Sequence, residues 1–72
     1  MEYSVIVHPA EEGGYWVEVP ALPGCYSQGE SVDEALSNVA EAIALYLETL
    51  RDEGQTIPRD EETVFKVAVT VQ

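Results

Sequence analysis

The sequence predicts an α+β domain of two layers, in which one long helix covers one face of a mainly antiparallel sheet. Three segments alternate apolar and polar residues with the period of two that is typical of strands, and a short segment between two of them is expected to form a further strand. One further segment repeats its apolar residues every three or four positions, which is typical of an amphipathic helix. The elements follow the order β-β-β-α-β along the chain. With 72 residues, the chain has the length of one small domain, which we expect to comprise residues 1–72.

The first two strands are predicted to form a hairpin. Residues 3–7 and 15–19 both alternate, and the intervening "PAEEGG" contains a proline and a glycine pair that favour a turn. The second strand is expected to end in "PALPG", because Pro20 and Pro23 lack a backbone N–H donor. Residues 25–28 are then predicted to form a short third strand.

The helix is predicted to begin after Ser31 and to end near Gly54. In "SVDE", the Ser31 side chain can accept a hydrogen bond from the Glu34 amide, and the Glu34 carboxylate can reach back to the cap amide. A glycine is well suited to end a helix. The apolar face of this helix is expected to comprise Val32, Leu36, Val39, Ile43, Tyr46, Leu47 and Leu50.

The last strand is predicted within "TVFKVAVTVQ", after a polar connection that carries Pro58. Alternation divides the strand residues between two faces of the sheet. The face beneath the helix is expected to contain Val5, Val7, Val17, Val19, Phe65, Val67 and Val69. The opposite face is expected to contain Ser4, Ile6, His8, Trp16, Glu18, Lys66 and Ala68.

The uncovered face of the sheet is predicted to bind a partner. Ile6 and Trp16 are more apolar than an exposed sheet face requires, and an aromatic residue on a mixed surface is typical of a protein contact. We therefore predict that Ile6, Trp16, Glu18 and Lys66 are partner-binding residues. In the alternative interpretation, Trp16 lies beneath a loop or a neighbouring side chain.

Acidic residues dominate the charge of the chain. Fourteen aspartates and glutamates against three lysines and arginines give a formal net charge of −11. This balance argues against nucleic-acid binding by the chain alone, because phosphate contacts require Lys and Arg. The charge is consistent with a basic partner, and it is equally consistent with a role in solubility alone.

The residues that could carry out catalysis are too few for a recognised site. A nucleophilic Cys25 would need a base, and His8 is the one histidine. One His and one Cys with scattered carboxylates also lack the paired spacing of a zinc site. We therefore predict a protein that is not an enzyme and has no cofactor or metal. Since no apolar run approaches the roughly 20 residues of a membrane span and no signal peptide is evident, we expect a cytoplasmic location.

One long run resembles the HicB-type antitoxin family of bacterial toxin-antitoxin pairs. This run is "GGYWVEVPALPGCYSQGESVDEALSNVAEAI", followed by "EGQTIP" after the helix. Many members carry a C-terminal DNA-binding segment, and residues 1–72 contain no counterpart of it, so we expect no operator binding by these residues. The matching positions are Gly14, Tyr15, Pro20, Leu22, Pro23, Gly24, Cys25, Gly29, Glu34 and Ala35.

The resemblance implies a partial ribonuclease-H-like fold without nuclease activity. It also implies a partner, which would be a small basic HicA-type toxin that cleaves RNA and is neutralised when the antitoxin covers it. The alternative function is a stand-alone HicB-like domain that self-associates, has no toxin partner and could bind a small ligand. In either case we expect a homo-oligomer, a dimer or tetramer, because the predicted last strand has an apolar side and only Lys66 to discourage edge pairing.

Overall fold

Three short strands and one long helix form the regular structure of this chain, for which the computed structural model describes residues 1–61 and 67–71. The strands are β1 (Ile6–Pro9), β2 (Tyr15–Glu18) and β3 (Tyr26–Gly29), and the helix is α1 (Val32–Asp52). The sheet has the order β1-β2-β3 with both pairs antiparallel, and α1 packs on one of its faces. The predicted α+β class is confirmed. Strand β2 and helix α1 begin at the predicted residues, whereas β1 begins three residues later than predicted.

A tight turn joins β1 to β2, as predicted from the glycine pair. The Ala10 N–H donates to the Gly14 carbonyl over 3.0 Å, and the Gly13 N–H donates to the Ala10 carbonyl over 3.1 Å. Gly13 and Gly14 have φ angles of 101° and 75°. Glycine adopts this left-handed conformation without steric cost, so the pair permits the reversal of the chain.

The "PALPG" connection between β2 and β3 is a nested set of turns. The Leu22 N–H donates to the Val19 carbonyl and the Cys25 N–H donates to the Leu22 carbonyl, each over 3.0 Å. The Val19 N–H closes the loop by donating to the Cys25 carbonyl over 3.2 Å. These turns direct the Leu22 side chain inward, where it is 0% exposed. The connection therefore contributes to the core as well as reversing the chain.

The predicted cap begins α1, with a small difference in one of its hydrogen bonds. The Glu34 N–H donates to the Ser31 Oγ over 3.1 Å. The Glu34 carboxylate accepts from the Glu30 N–H over 3.2 Å, one residue earlier than the predicted cap amide. Two backbone donors at the start of the helix are thus satisfied locally.

Gly54 ends α1 with a φ of 69°. The Gly54 N–H donates to the Arg51 carbonyl over 3.0 Å, and the Gln55 N–H donates to the Leu50 carbonyl over 2.8 Å. These two bonds form a Schellman motif, which satisfies carbonyls that the helix leaves free. Within the described residues, no helix has the length and apolarity needed to cross a membrane.

The core lies between α1 and the sheet. Strand β3 approaches the first turn of α1 so closely that a Cβ added at Gly29 would lie 2.4 Å from the Ala35 nitrogen. Val5 and Val7 are half-buried and pack against the core, in agreement with their predicted face. Among the described residues, the buried core comprises Val17, Val19, Leu22, Cys25, Ala35 and Val39.

The predicted last strand is the main difference between expectation and structure. Its first part, including Phe65 and Lys66, lies outside the described residues. Residues 67–71 are described and form no strand, and Val67 and Val69 are 80% and 76% exposed. Their predicted position beneath the helix is therefore wrong for this single chain. The physical reason is that a strand needs a neighbouring strand to satisfy its backbone groups, and no pairing with residues 67–71 exists among the described residues.

Candidate partner-binding surface

The face of the sheet that α1 leaves uncovered presents six side chains, which form four cross-strand pairs. The strand register pairs residues of β1 with β2 and residues of β2 with β3. Because side chains alternate along each strand, every second position lies on this side of the sheet. We call this surface the open face, and it comprises Ile6, His8, Trp16, Glu18, Tyr26 and Gln28.

Trp16 lies at the centre of the open face between two other rings. The His8 ring stacks on it with centroids 4.1 Å apart and planes 16° apart. The Tyr26 ring lies on its other side, at 6.2 Å and tilted by 55°. Trp16 is thus half-buried by side chains of the neighbouring strands, which explains how a large apolar residue is accommodated on this side of the sheet. Tyr26 itself is 60% exposed, so the aromatic cluster remains accessible.

His8, which stacks on Trp16, also contacts the Glu18 carboxylate. The His8 Nε2 lies 3.2 Å from the Glu18 Oε2, and the two side chains are 37% and 33% exposed. The partly exposed Glu18 carboxylate lies near the aromatic rings, so the open face offers an apolar contact with an acidic group beside it. A cationic side chain could interact with both the ring faces and the carboxylate.

Three of the four predicted partner-binding residues lie together on the open face. Ile6 is 36% exposed and lies directly opposite Glu18 in the strand register, while Trp16 lies two positions before Glu18 on β2. Lys66 lies outside the described residues. The predicted set omitted Tyr26, because no face was assigned to the short third strand. The register of β3 with β2 places Tyr26 opposite Glu18.

An acidic groove adjoins the open face where β2 and β3 approach the start of α1. The groove has a volume of ≈ 740 Å³ and borders Trp16. Its position next to the aromatic cluster extends the candidate surface with negative charge. The glutamates that line it are Glu11, Glu12, Glu30 and Glu34.

Cys25 and His8 are not arranged for nucleophilic catalysis. Cys25 is 4% exposed within the core, on the helix side of the sheet, whereas His8 stacks on Trp16 on the open face. Burial raises the pKa of the Cys25 thiol, which disfavours the thiolate that a nucleophile needs. Among residues 1–61 and 67–71, no group of three or more potential ligands is arranged to hold a metal ion.

The Cys25 thiol is expected to react slowly with a thiol reagent in the native protein and rapidly in denaturant. Two causes act together: the side chain is buried, and the pKa of its thiol is raised by desolvation. Because the unfolded thiol ionises first as the pH rises, the contribution of Cys25 to the free energy of unfolding should fall at pH values above its unfolded pKa. The release of thionitrobenzoate measures the reaction rate. Equal rates in native and denatured protein would contradict the burial of Cys25.

Comparison with known proteins identifies the family. The family model described as the HicB_like antitoxin of bacterial toxin-antitoxin systems matches residues 3–69. The chain belongs to the HicB-like antitoxin family. A UPF0150 protein of Thermoplasma acidophilum is 52% identical over 60 residues, which are 83% of this chain and 87% of that protein. A UPF0150 protein of Synechocystis is 39% identical over 69 residues, which are 96% of this chain and 87% of that protein.

Solved structures of a HicB antitoxin from Burkholderia pseudomallei share the fold. The N-terminal domain of that antitoxin matches with a TM-score of 0.73 and 36% identity, over 86% of this chain and 73% of the domain. The antitoxin itself matches with a TM-score of 0.71 and 40% identity. That match covers 79% of this chain and 43% of the antitoxin. Membership of the HicB-like antitoxin family supports an antitoxin-type function and implies a toxin partner of some kind.

Proposed function

We propose that this HicB-like chain binds a small basic HicA-type ribonuclease through its open face and thereby blocks RNA cleavage. The aromatic cluster of His8, Trp16 and Tyr26 is the observation that supports the open face as the contact. In this proposal residues 1–72 form one HicB-like domain that acts in the cytoplasm by covering the toxin, without catalysis and without a cofactor. Lys66 stays in the proposed contact set together with Ile6, Trp16 and Glu18.

Trp16 is the proposed anchor of the complex. Tryptophan is enriched among the few residues that dominate binding energy, and these residues lie near the centre of an interface. Trp16 occupies the central strand of the sheet, with a ring from each neighbouring strand beside it. The stack with His8 holds the indole in one orientation before the partner arrives, so less side-chain entropy is lost on binding.

Negative charge supports the choice of a basic partner. The chain carries a formal net charge of −11, and four glutamates line the acidic groove beside Trp16. Charge of this sign accelerates encounter with a basic surface and fits the positive potential that an RNA-binding surface requires. The antitoxin would therefore occupy the surface that RNA phosphates need, which is a direct mechanism of inhibition.

The test is co-purification with the product of the adjacent reading frame, followed by measurement of affinity and RNA cleavage. Trp16→Ala is expected to weaken the complex by about 30-fold or more, because it removes the anchor at the centre of the interface. The matched control is Leu45→Ala, since Leu45 is 65% exposed on α1, away from the open face. The control should retain wild-type affinity and full suppression of cleavage.

Two outcomes would contradict the proposal. Unchanged affinity of the Trp16→Ala protein would exclude the open face as the contact. Absence of any complex with the neighbouring product would instead favour the stand-alone HicB-like domain, which self-associates and binds no toxin. Isothermal titration calorimetry with small-molecule candidates would then become the appropriate experiment.

A further inference from the structure

A small cavity lies where the "PALPG" connection joins β2 to β3, at one end of the open face. It has a volume of ≈ 190 Å³ and is lined by Glu18 and Tyr26 together with Pro20 and Pro23 of the connection. Among the described residues that line it, Glu18 is the one that carries a charge. We call it the Glu18 cavity. Apolar walls with a single carboxylate suit a side chain that joins an apolar stem to a cationic head.

The Glu18 carboxylate has one oxygen available to a further donor. Its Oε2 lies 3.2 Å from the His8 Nε2, and its Oε1 accepts no hydrogen bond from the part of the chain that the structure describes. The strand register places Ile6 on one side of Glu18 and Tyr26 on the other. These apolar neighbours reduce the screening by water, so a hydrogen bond from a cationic donor to Oε1 would be stronger here than in open solvent.

The Tyr26 ring lies beside this carboxylate and is open to solvent. Tyr26 is 60% exposed, and its ring is tilted by 55° from that of Trp16 at a centroid distance of 6.2 Å, so the two rings are not stacked. Tyr26 lies directly opposite Glu18 in the register, and opposite side chains have Cβ atoms about 5 Å apart. A flat cation can therefore contact the Tyr26 ring and the Glu18 carboxylate together.

Arginine fits this geometry better than lysine does. The guanidinium is flat, stacks on aromatic rings and donates hydrogen bonds within its own plane, so it can contact the ring through its face and the carboxylate through its edge. An ammonium group is more strongly hydrated and has no flat face to stack. The six residues of the open face include neither lysine nor arginine, and the chain has a net charge of −11, so its potential attracts a cation from another molecule.

We propose that the Glu18 cavity receives an arginine side chain of the basic partner. The guanidinium lies on the Tyr26 ring and donates to the Glu18 Oε1, while the stem lies along Pro20 and Pro23. The source of the arginine rests on the proposed function, whereas the preference of the cavity for arginine does not. RNA-binding surfaces use arginine to stack on bases and to bind phosphates. Tyr26 and Glu18 offer the same combination of a ring and an anion, so the antitoxin would engage an arginine that RNA requires.

Titration of the chain alone with short peptides tests the preference for arginine. The probe is acetyl-Gly-Arg-Gly-amide, followed through the amide NMR spectrum of the whole chain. The control peptide carries citrulline, which keeps the shape of arginine and removes its charge. The arginine peptide is expected to bind about 10-fold more tightly than the citrulline peptide and about 3-fold more tightly than a lysine peptide. The largest shifts are expected at the amides of Gly24 and Tyr26.

Substitutions test the two groups that contact the arginine. Glu18→Gln is expected to weaken both the arginine peptide and the complex with the neighbouring product by about 10-fold. The matched control is Glu48→Gln, which removes the same charge from an exposed position of α1 and should change either affinity by less than about two-fold. Tyr26→Ala should weaken the arginine peptide by about five-fold, whereas Tyr26→Phe should retain it because the ring remains. The helical circular dichroism signal of each variant verifies its fold.

The outcomes separate this proposal from the proposed function. Equal affinity for the arginine and citrulline peptides would overturn the arginine site, and so would equal effects of Glu18→Gln and Glu48→Gln, which would indicate net charge alone. A complex with the neighbouring product that withstands Glu18→Gln but not Trp16→Ala would also overturn the site and leave the proposed function standing. Binding of the arginine peptide that depends on Glu18, without any complex with the neighbouring product, would support the site and contradict the proposed function.

Discussion

Replacing Gly29 with alanine is expected to remove a large part of the stability of the domain. A Cβ at this position would lie 2.4 Å from the Ala35 nitrogen, 2.8 Å from the Glu34 carbonyl carbon and 2.9 Å from the Ala35 Cα. All three atoms belong to the backbone of the first turn of α1, so no flexible side chain can move aside. The helix would have to shift away from β3, along which it packs.

The cost of Gly29→Ala is expected to be about 3 kcal/mol or more, at the upper end of typical overpacking. A domain of 72 residues has a total unfolding free energy of roughly 4 to 11 kcal/mol, so the loss is a large fraction. Urea denaturation followed by circular dichroism measures it. The control is Gly24→Ala, because Gly24 has a φ of 83° and no atom within 4 Å of an added Cβ.

Gly24→Ala should cost about 1 kcal/mol, the penalty of a left-handed backbone alone. Gly29 carries no such backbone requirement, so the difference between the two variants isolates the steric contact with α1. If Gly29→Ala proved as mild as Gly24→Ala, the close approach of β3 to the helix would be contradicted.

Leu22→Ala is expected to destabilise the domain by about 2 to 5 kcal/mol. Within the part of the chain that the structure describes, Leu22 is one of the two largest fully buried side chains, and truncation removes its transfer free energy and leaves a cavity. The turns around it close through two hydrogen bonds of the Leu22 backbone, which restrict how far the loop can collapse into the space. The midpoint of thermal or urea unfolding measures the loss.

Leu45→Ala provides the matched control for Leu22→Ala. The same atoms are removed, but Leu45 is 65% exposed, so the change in stability should stay within about 0.5 kcal/mol. Alanine also has the higher helix propensity, which offsets part of any loss. Similar effects of the two substitutions would show that the "PALPG" connection does not contribute to the core.

The local features of the fold could be predicted from the sequence because each depends on a few neighbouring residues. The Ser31 cap, the Gly54 terminus and the glycine turn before β2 follow from backbone preferences that act over one turn of chain. The contact of Gly29 with Ala35 could not be predicted in this way. It depends on the angle at which α1 crosses β3, and glycine within a strand pattern gives only a general indication of close approach.

Only part of the open face could be predicted from the sequence. Alternation alone placed Ile6, Trp16 and Glu18 on one side of the sheet, and the structure shows them there. The stacking of His8 on Trp16 required the register between β1 and β2, which alternation does not provide. The predicted last strand is wrong over residues 67–71 of the single chain because alternation reports a preference for one buried face and does not identify what buries it.

The order β1-β2-β3 has a kinetic consequence. Each strand pairs with its neighbour in the sequence, and α1 then packs mainly on β3, the strand that precedes it. Few long loops must close before these contacts form, and domains with such local contacts fold rapidly, on the order of milliseconds or faster. The sheet and helix would therefore be complete soon after synthesis.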